Sequence, residues 1–274
     1  MKRFELKDHI AGAVYGFAVG DSVGATTEFM TKDQIQDQYG EVTKQLGGGR
    51  LDLKPGEVTD DTQMMMCVME ALMKYQDDIA MFKKECMEQF IEWLDTEPKD
   101  VGNTCRNGIE YYKLTGTFID KDEDLQGNGS LMRYLPCAIL GLDEFNIAQG
   151  ELTHNSEVCA SLIQMTSEAL CESLMGKYPS QRVDDLLDPS GRAQNTFNNA
   201  MFHASKCDFN HTLREAVNNG GDADTIAAIA CSLAGARVGL SNINPKLIAP
   251  LSIDIKKQFG KFINFSVKFI ESSS

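Results

Sequence analysis

The sequence predicts an all-α fold in one compact domain spanning residues 1–274. Helical periodicity recurs along nearly the whole chain, and strand-like alternation is confined to short pieces such as residues 41–46. No linker or shift of composition divides the 274 residues, and no repeat marks a solenoid.

Taken in order, residues 7–24 predict a helix carrying Gly12, Gly16, Gly20 and Gly24 on one face. Glycine costs up to about 1 kcal/mol against alanine in a helix, so such a ridge needs a reason, and close approach of a second backbone is the usual one. A polar, glycine-rich loop follows from Gly47 to Pro55, and the stretch GEVTDDTQMMMCVMEAL (56–72) then opens a largely apolar helix. Residues 80–95 predict an amphipathic helix with Phe82, Cys86, Phe90 and Leu94 on one side. A short helix is expected over 101–113, and a polar loop over 115–129 ends in GNGS. SLMRYLPCAILGL reads as helical, with Pro136 as a kink or an early helix position. A long amphipathic helix is expected over 156–175, and a polar loop or lid over 178–192. A short helix over 211–219 stops at Asn218-Asn219-Gly220-Gly221, a C-cap and turn signal, and GDADT then opens an Ala-rich helix over 226–240. The tail, 246–270, is again amphipathic.

The formal net charge of −14 and the absence of any Lys/Arg cluster longer than a pair argue against a nucleic-acid partner. The apolar run from Ile10 to Gly20 has Glu5 and Asp8 before it and Asp21 after it, which suits neither a secretory signal nor a membrane span. Eight cysteines stand singly, with no C-x-x-C pair, so a zinc site is not signalled and a reduced, cytoplasmic setting is expected.

Thr59-Asp60-Asp61 stand at a helix mouth. Capping explains one acid, with Asp60 as N-cap and Gln63 completing a capping box. It does not explain the second acid. Gly221-Asp222-Ala223-Asp224-Thr225 repeats the arrangement, with Asp224 as the capping candidate. Together the two motifs supply four carboxylates and two hydroxyls, a hard-oxygen set that suits Mg²⁺ or Mn²⁺ rather than zinc. Two such ions side by side are a common hydrolytic arrangement. Glu28, seven residues after Asp21, is either a solvated terminus or a base, water-orienting group or gate in a cleft. Gly127-Asn128-Gly129-Ser130 is a turn with Ser130 as a possible N-cap, or a phosphate cradle. No G-x-S-x-G elbow or Cys/His pair supports covalent catalysis.

Together, GFAVGDSVGATTEF (16–29), GEVTDDTQM (56–64), GNGSLMRYLP (127–136), THNS (153–156) and GGDADTIAAIACSLAGA (220–236) resemble the ADP-ribosylglycohydrolase family, of the dinitrogenase-reductase-activating type. The segment 245–274 matches less closely. The resemblance implies an all-α orthogonal helical bundle and a site for two divalent cations, Mg²⁺ or Mn²⁺. It gives metal ligation to Thr59, Asp60, Asp61, Asp222, Asp224 and Thr225. It gives catalytic roles to Glu28, Asp60, Asp61 and Asp224, and ADP-ribose contacts to Gly127, Asn128, Gly129, Ser130, Met132 and His154. The implied activity is removal of ADP-ribose from a modified protein, with arginine ahead of serine or other linkages. It would reverse a regulatory mark or counter an ADP-ribosyltransferase toxin. Two other readings stand beside it. One is a silent binding or immunity protein of the same fold, which would have lost ligands that this chain keeps. The other is a different metal-dependent nucleotide hydrolase, whose usual His-Asp ligand pairs this chain lacks.

Overall fold

The computed structural model describes residues 3–205 and 208–273; Cys207 lies outside them. Thirteen α-helices are formed among the described residues, and the only bridges are two isolated ones, Gly48–Leu53 and Gly127–Arg192. No sheet is present among these residues. None of their helices is long and apolar enough to cross a membrane.

Two buried helices make the spine. α1 (Arg3–Gly24) lies antiparallel against α11 (Ala223–Val238), and α11 is buried along almost its whole length. A Cβ on Gly12 would lie 2.2 Å from the Gly235 carbonyl oxygen, and one on Gly16 2.4 Å from that of Cys231. At Gly20 the distance is 2.2 Å to Ala227, and at Gly24 2.5 Å to Ala223. Each step of four along α1 meets a step of four along α11. The backbones touch because neither ridge carries bulk, which is the reason the glycine spacing demands.

α3 (Asp60–Lys74) turns Met64, Met65, Val68 and Met69 into the core. α13 (Ile253–Ser273) covers the spine from the other side, with Tyr15 and Phe259 edge to face at 5.3 Å and Gln258 donating to the Met66 carbonyl at 2.9 Å. α4 (Ile79–Leu94) buries Phe82, Cys86, Phe90 and Leu94, the stripe its sequence presents.

Several local expectations are corrected. Residues 41–46 form no strand. The Val42 backbone is satisfied by one amide instead: Val42 N–H donates to Asn218 Oδ1 at 2.9 Å, and Asn218 Nδ2 donates back to the Val42 carbonyl at 2.8 Å. Residues 130–142 are split into a 3₁₀ turn (Asn128–Arg133) and α6 (Leu135–Leu140), with Pro136 in the first turn of α6. Three short helices lie outside the expected ones: α2 (Lys32–Tyr39), whose signal is the Thr31–Gln34 capping box, α7 (Asp143–Glu151) and α9 (Ala193–Ala204). The tail is broken into α12 (Pro245–Ile248) and α13. The remaining helices, α5 (Asn103–Thr115), α8 (Glu157–Leu174) and α10 (Phe209–Val217), fall within two residues of their expected bounds.

The spine positions the functional ends. α1 ends, and α11 and α3 begin, at one end of the core. Phe29 N–H donates to the Gly221 carbonyl at 2.6 Å, and Gly221 N–H donates to Met30 O at 2.9 Å. These bonds lock the chain after α1 onto the loop before α11.

Candidate active site

The first wall of the site is the N-terminus of α3. Its cap differs from the expected one: Thr59, in extended conformation, is the N-cap, and Asp60 is the first helical residue. Gln63 is not a capping-box partner; it donates to the Val58 carbonyl and accepts from Trp93 Nε1 at 2.7 Å. The free N–H groups of a helix start need acceptors, and α1 supplies one. Fully buried Asp21 accepts from Thr59 N–H at 3.1 Å, Thr62 N–H at 3.1 Å and Thr62 Oγ1 at 2.5 Å. A cap borrowed from another helix leaves Asp60 and Asp61 to line the cavity. We expect Asp21→Asn, which turns an acceptor into an amide donor against these groups, to cost about 2–3 kcal/mol, read by urea unfolding. A change below about 0.5 kcal/mol would remove Asp21 from this role.

Asp60 Oδ2 accepts from Gly102 N–H at 3.1 Å, which brings the start of α5 to the rim. Asp61 Oδ2 accepts from Thr59 Oγ1 at 3.4 Å and from Thr225 Oγ1 at 3.3 Å. The Thr225 bond joins the two acidic motifs directly, across 164 residues of sequence. On α11 the N-cap is Asp222, without a side-chain cap bond, rather than Asp224. The Asn128 amide donates to Asp222 Oδ2 and, at 3.1 Å, to Thr196 Oγ1. Two oxygens in this wall, Asp61 Oδ1 and Asp224 Oδ1, are buried with no hydrogen-bond partner.

The second wall carries charge. Glu28 is 5 % exposed, and its Oε1 receives Arg50 Nη2 at 3.0 Å. The same nitrogen reaches Asp100 Oδ1 at 3.1 Å. One carboxylate oxygen each from Glu28, Asp100 and Asp224 lie within 4.8 Å of one another. Burial raises the carboxyls of Asp21, Glu28, Asp60, Asp61, Asp222 and Asp224. It takes Glu28 up to about 7, helped by Asp100 and Asp222 and opposed by Arg50. It takes Asp60 up to about 8, with Asp100 adding to the effect, and Asp21 and Asp222 up to about 6. Asp61 and Asp224 lie well above the ordinary range, again from burial first and neighbouring carboxylates second.

The third wall is Gly127, Asn128, Gly129, Met132 and His154, which with the acids enclose a cavity of about 430 Å³. The imidazole packs on the two glycines: a Cβ on Gly129 would lie 2.6 Å from His154 Cε1, and one on Gly127 3.0 Å from Nε2. Burial, then the Arg133 charge, lowers His154 to about 3, so it is neutral at ordinary pH. Arg133 is itself fully buried. It donates to neutral acceptors, Gln149 Oε1 at 2.6 Å, Gln149 O at 2.8 Å and Thr153 Oγ1 at 2.7 Å, and its guanidinium lies over Phe90. Thr153 Oγ1 then meets His154 Nδ1 at 2.8 Å. Asn128 differs from the expected cradle, because its N–H donates to the Gly191 carbonyl at 3.0 Å and its amide to Asp222. Ser130 is wholly buried within the 3₁₀ turn, off the cavity lining, and does not cap it. Thr59 is likewise off the lining and holds Asp61 from behind.

Glu28, Asp60, Asp61, Asp222, Asp224 and Thr225 therefore share one cavity with Gly127, Asn128, Gly129, Met132 and His154. A hard cation fits this donor set: oxygen ligands, two of them orphaned and buried, with the carboxyls strained by mutual repulsion. Sequence reasoning missed Arg50, Asp100 and the capping role of Asp21. The signal for Asp100 was thin: an acid two residues before Gly102, just ahead of a helix start, in DVGNT.

Comparison with known proteins gives the following. The family model described as ADP-ribosylglycohydrolase matches residues 3–263. The ADP-ribosyl-[dinitrogen reductase] glycohydrolase of Rhodospirillum rubrum is 36% identical over 94% of this chain and 95% of its own length. The ADP-ribosylarginine hydrolase Tri1 of Serratia proteamaculans is 28% identical over 87% of this chain and 74% of its own. A solved structure described as an ADP-ribosylglycohydrolase-related protein complex superposes with a TM-score of 0.82 at 27% identity, covering 99% of this chain and 100% of that one.

Proposed function

The chain belongs to the ADP-ribosylglycohydrolase family, whose members are hydrolases, and on that premise we propose that it removes ADP-ribose from arginine side chains of a modified protein with the help of two divalent cations. One observation carries this reading most: two acidic helix starts far apart in sequence leave Asp61 Oδ1 and Asp224 Oδ1 buried, adjacent to one cavity and without partners. The relative named ADP-ribosylarginine hydrolase supports the linkage. The whole span 1–274 acting as one domain is part of the same reading.

Asp60, Asp61, Asp222, Asp224 and Thr225 would hold the cations, with Thr59 fixing Asp61. When bound, Mg²⁺ or Mn²⁺ supplies Lewis acidity toward water and the ribose hydroxyls. Breaking the bond at the anomeric carbon builds positive charge on the sugar, and the surrounding carboxylates stabilise it. Glu28, raised to about 7, is poised to take a proton from water or give one to the departing nitrogen near neutral pH. Neutral His154, with Gly127, Gly129 and Met132, lines the side where the rest of the ADP-ribose lies, and Asn128 orients Asp222. Reversal of a regulatory mark and protection against an ADP-ribosyltransferase toxin use the same chemistry.

The test is release of ADP-ribose from arginine-linked and serine-linked protein, with Mg²⁺, Mn²⁺ or EDTA. We expect cation-dependent release from the arginine linkage; release from neither linkage with either metal would remove the hydrolase reading for both.

The carboxyls also set a pH dependence. Each has a folded pKa above its unfolded value, so the metal-free fold binds more protons than the unfolded chain. Their contribution to stability is full below about pH 4 and is lost as pH rises through about 6 to 8. Cations relieve the same repulsion. We expect saturating Mn²⁺ to raise the melting temperature by about 5 °C or more near pH 8, and by much less near pH 5.5. Equal shifts at both pH values would argue against these carboxyls as the binding groups.

A further inference from the structure

We propose that Glu28, Asp100 and Phe29 form a receptor for a guanidinium group, and that Arg50 occupies it as a built-in competitor of the substrate's arginine. The proposal rests on the arginine-linkage reading above and gives that linkage a place in the cavity.

The receptor is visible because a guanidinium already sits in it. Arg50 Nη2 bridges Glu28 Oε1 at 3.0 Å and Asp100 Oδ1 at 3.1 Å, and the guanidinium carbon lies 5.1 Å from the Phe29 ring centroid. Two carboxylates at the edge and an aromatic face above are the groups that select a planar, delocalised cation over an ammonium. Phe29 is held for this contact at some cost. Its φ of +58° is rare for a bulky residue. Its backbone is fixed there by the bond to Gly221, and the residue is 61% exposed at the mouth of the cavity. Beside the receptor, the buried and unpartnered Asp224 Oδ1 shows that the acidic pocket is not completed by the protein's own groups.

Arg50 suits a displaceable occupant. It enters from the solvent side, with its side chain 46% exposed, while Glu28 beneath it is 3% exposed. Both carboxylates use the same nitrogen, and no further Arg50 hydrogen bond is formed among the described residues. Arg50 follows Gly47, Gly48 and Gly49, whose φ values of +70°, +77° and +67° make a backbone turn that few other residues adopt. A substrate guanidinium offering two N–H groups to the same carboxylates makes the stronger, forked contact. Its anomeric carbon would then lie toward the Asp224 side, where the cation ligands are. Arg50 must leave for that guanidinium to enter, so its presence raises KM while protecting the Glu28 charge in the empty enzyme.

The test uses the full chain with n-butylguanidinium and n-butylammonium as probes in calorimetric titration, alongside KM for ADP-ribosylated arginine. Arg50→Ala is expected to tighten n-butylguanidinium about five-fold, with KM falling in parallel and n-butylammonium little changed. Arg50→Lys should give a smaller gain, and Phe29→Ala in the Arg50→Ala background should reverse the gain. Unchanged or weaker n-butylguanidinium binding in Arg50→Ala would overturn the proposal, as would an equal gain for n-butylammonium. Probe binding is read without turnover. Tighter binding in a protein that cleaves no arginine linkage would sink the hydrolase reading and leave the receptor standing; cleavage without tighter binding would do the reverse.

Discussion

Asp224→Asn is expected to lower ADP-ribose release by about 10³-fold while leaving the metal-free protein as stable as the parent, or more so. The first half follows from the charge: directly acting electrostatic groups are worth on the order of 10²–10³ in rate, and a lost ligand also loosens the cation. The second half follows from the bonds. Asp224 Oδ1 has no partner, and burial first, then neighbouring Asp222, Glu28 and Asp61, raises its carboxyl well above the ordinary range. Asparagine keeps the volume and removes the repulsion, so the fold gains where the site loses. The gain of melting temperature with Mn²⁺ should shrink in the same variant. A variant that unfolds instead would make Asp224 a structural residue, and one that keeps full turnover would remove it from the chemistry.

Gly20→Ala is expected to be strongly destabilising. The added methyl would lie 2.2 Å from the Ala227 carbonyl oxygen and 2.7 Å from the Ala228 nitrogen, both backbone atoms that cannot rotate aside. α1 must then move off α11. Overpacking of this kind costs about 3 kcal/mol or more, outweighing the roughly 1 kcal/mol alanine gains as a helix former. The displacement also carries Asp21 away from the α3 N-terminus, so activity should fall with stability. Gly260 is the control: it lies within α13, where a Cβ meets nothing within 4 Å. Gly260→Ala should stabilise by about 0.5–1 kcal/mol. Denaturant unfolding of both variants checks the contrast; a neutral Gly20→Ala would mean that the two backbones are not in contact.

The spine was legible in the sequence because a glycine every fourth residue has few other physical readings. The acidic motifs were legible as a pair, since capping accounts for one acid at each helix start and not for the second. The caps themselves were not. Asp21 caps α3 from another helix, and a local pattern such as Asp60 with Gln63 cannot reveal a tertiary acceptor. α2 was missed because KDQIQDQY buries only Ile35, and α9 because its asparagines dilute the apolar signal. Arg50 and Asp100 are single charged residues in polar segments, where solvation is the ordinary explanation. Only the fold brings them to Glu28. Asn128 and Ser130 show the reverse: the GNGS turn stands where expected, but the first is committed to Gly191 and Asp222 and the second is buried behind the cavity.

The central claim is that the two acidic helix starts act together as one divalent-cation site that drives cleavage. Its most direct test is ADP-ribose release from ADP-ribosylated arginine by protein stripped with EDTA, followed as Mn²⁺ is added back, for the parent and for Asp61→Asn and Asp224→Asn. We expect negligible release without cation, saturable recovery in the parent, and loss of that recovery in both variants although their altered residues lie on different helices. Release that persists in EDTA, or that recovers fully in either variant, would contradict it.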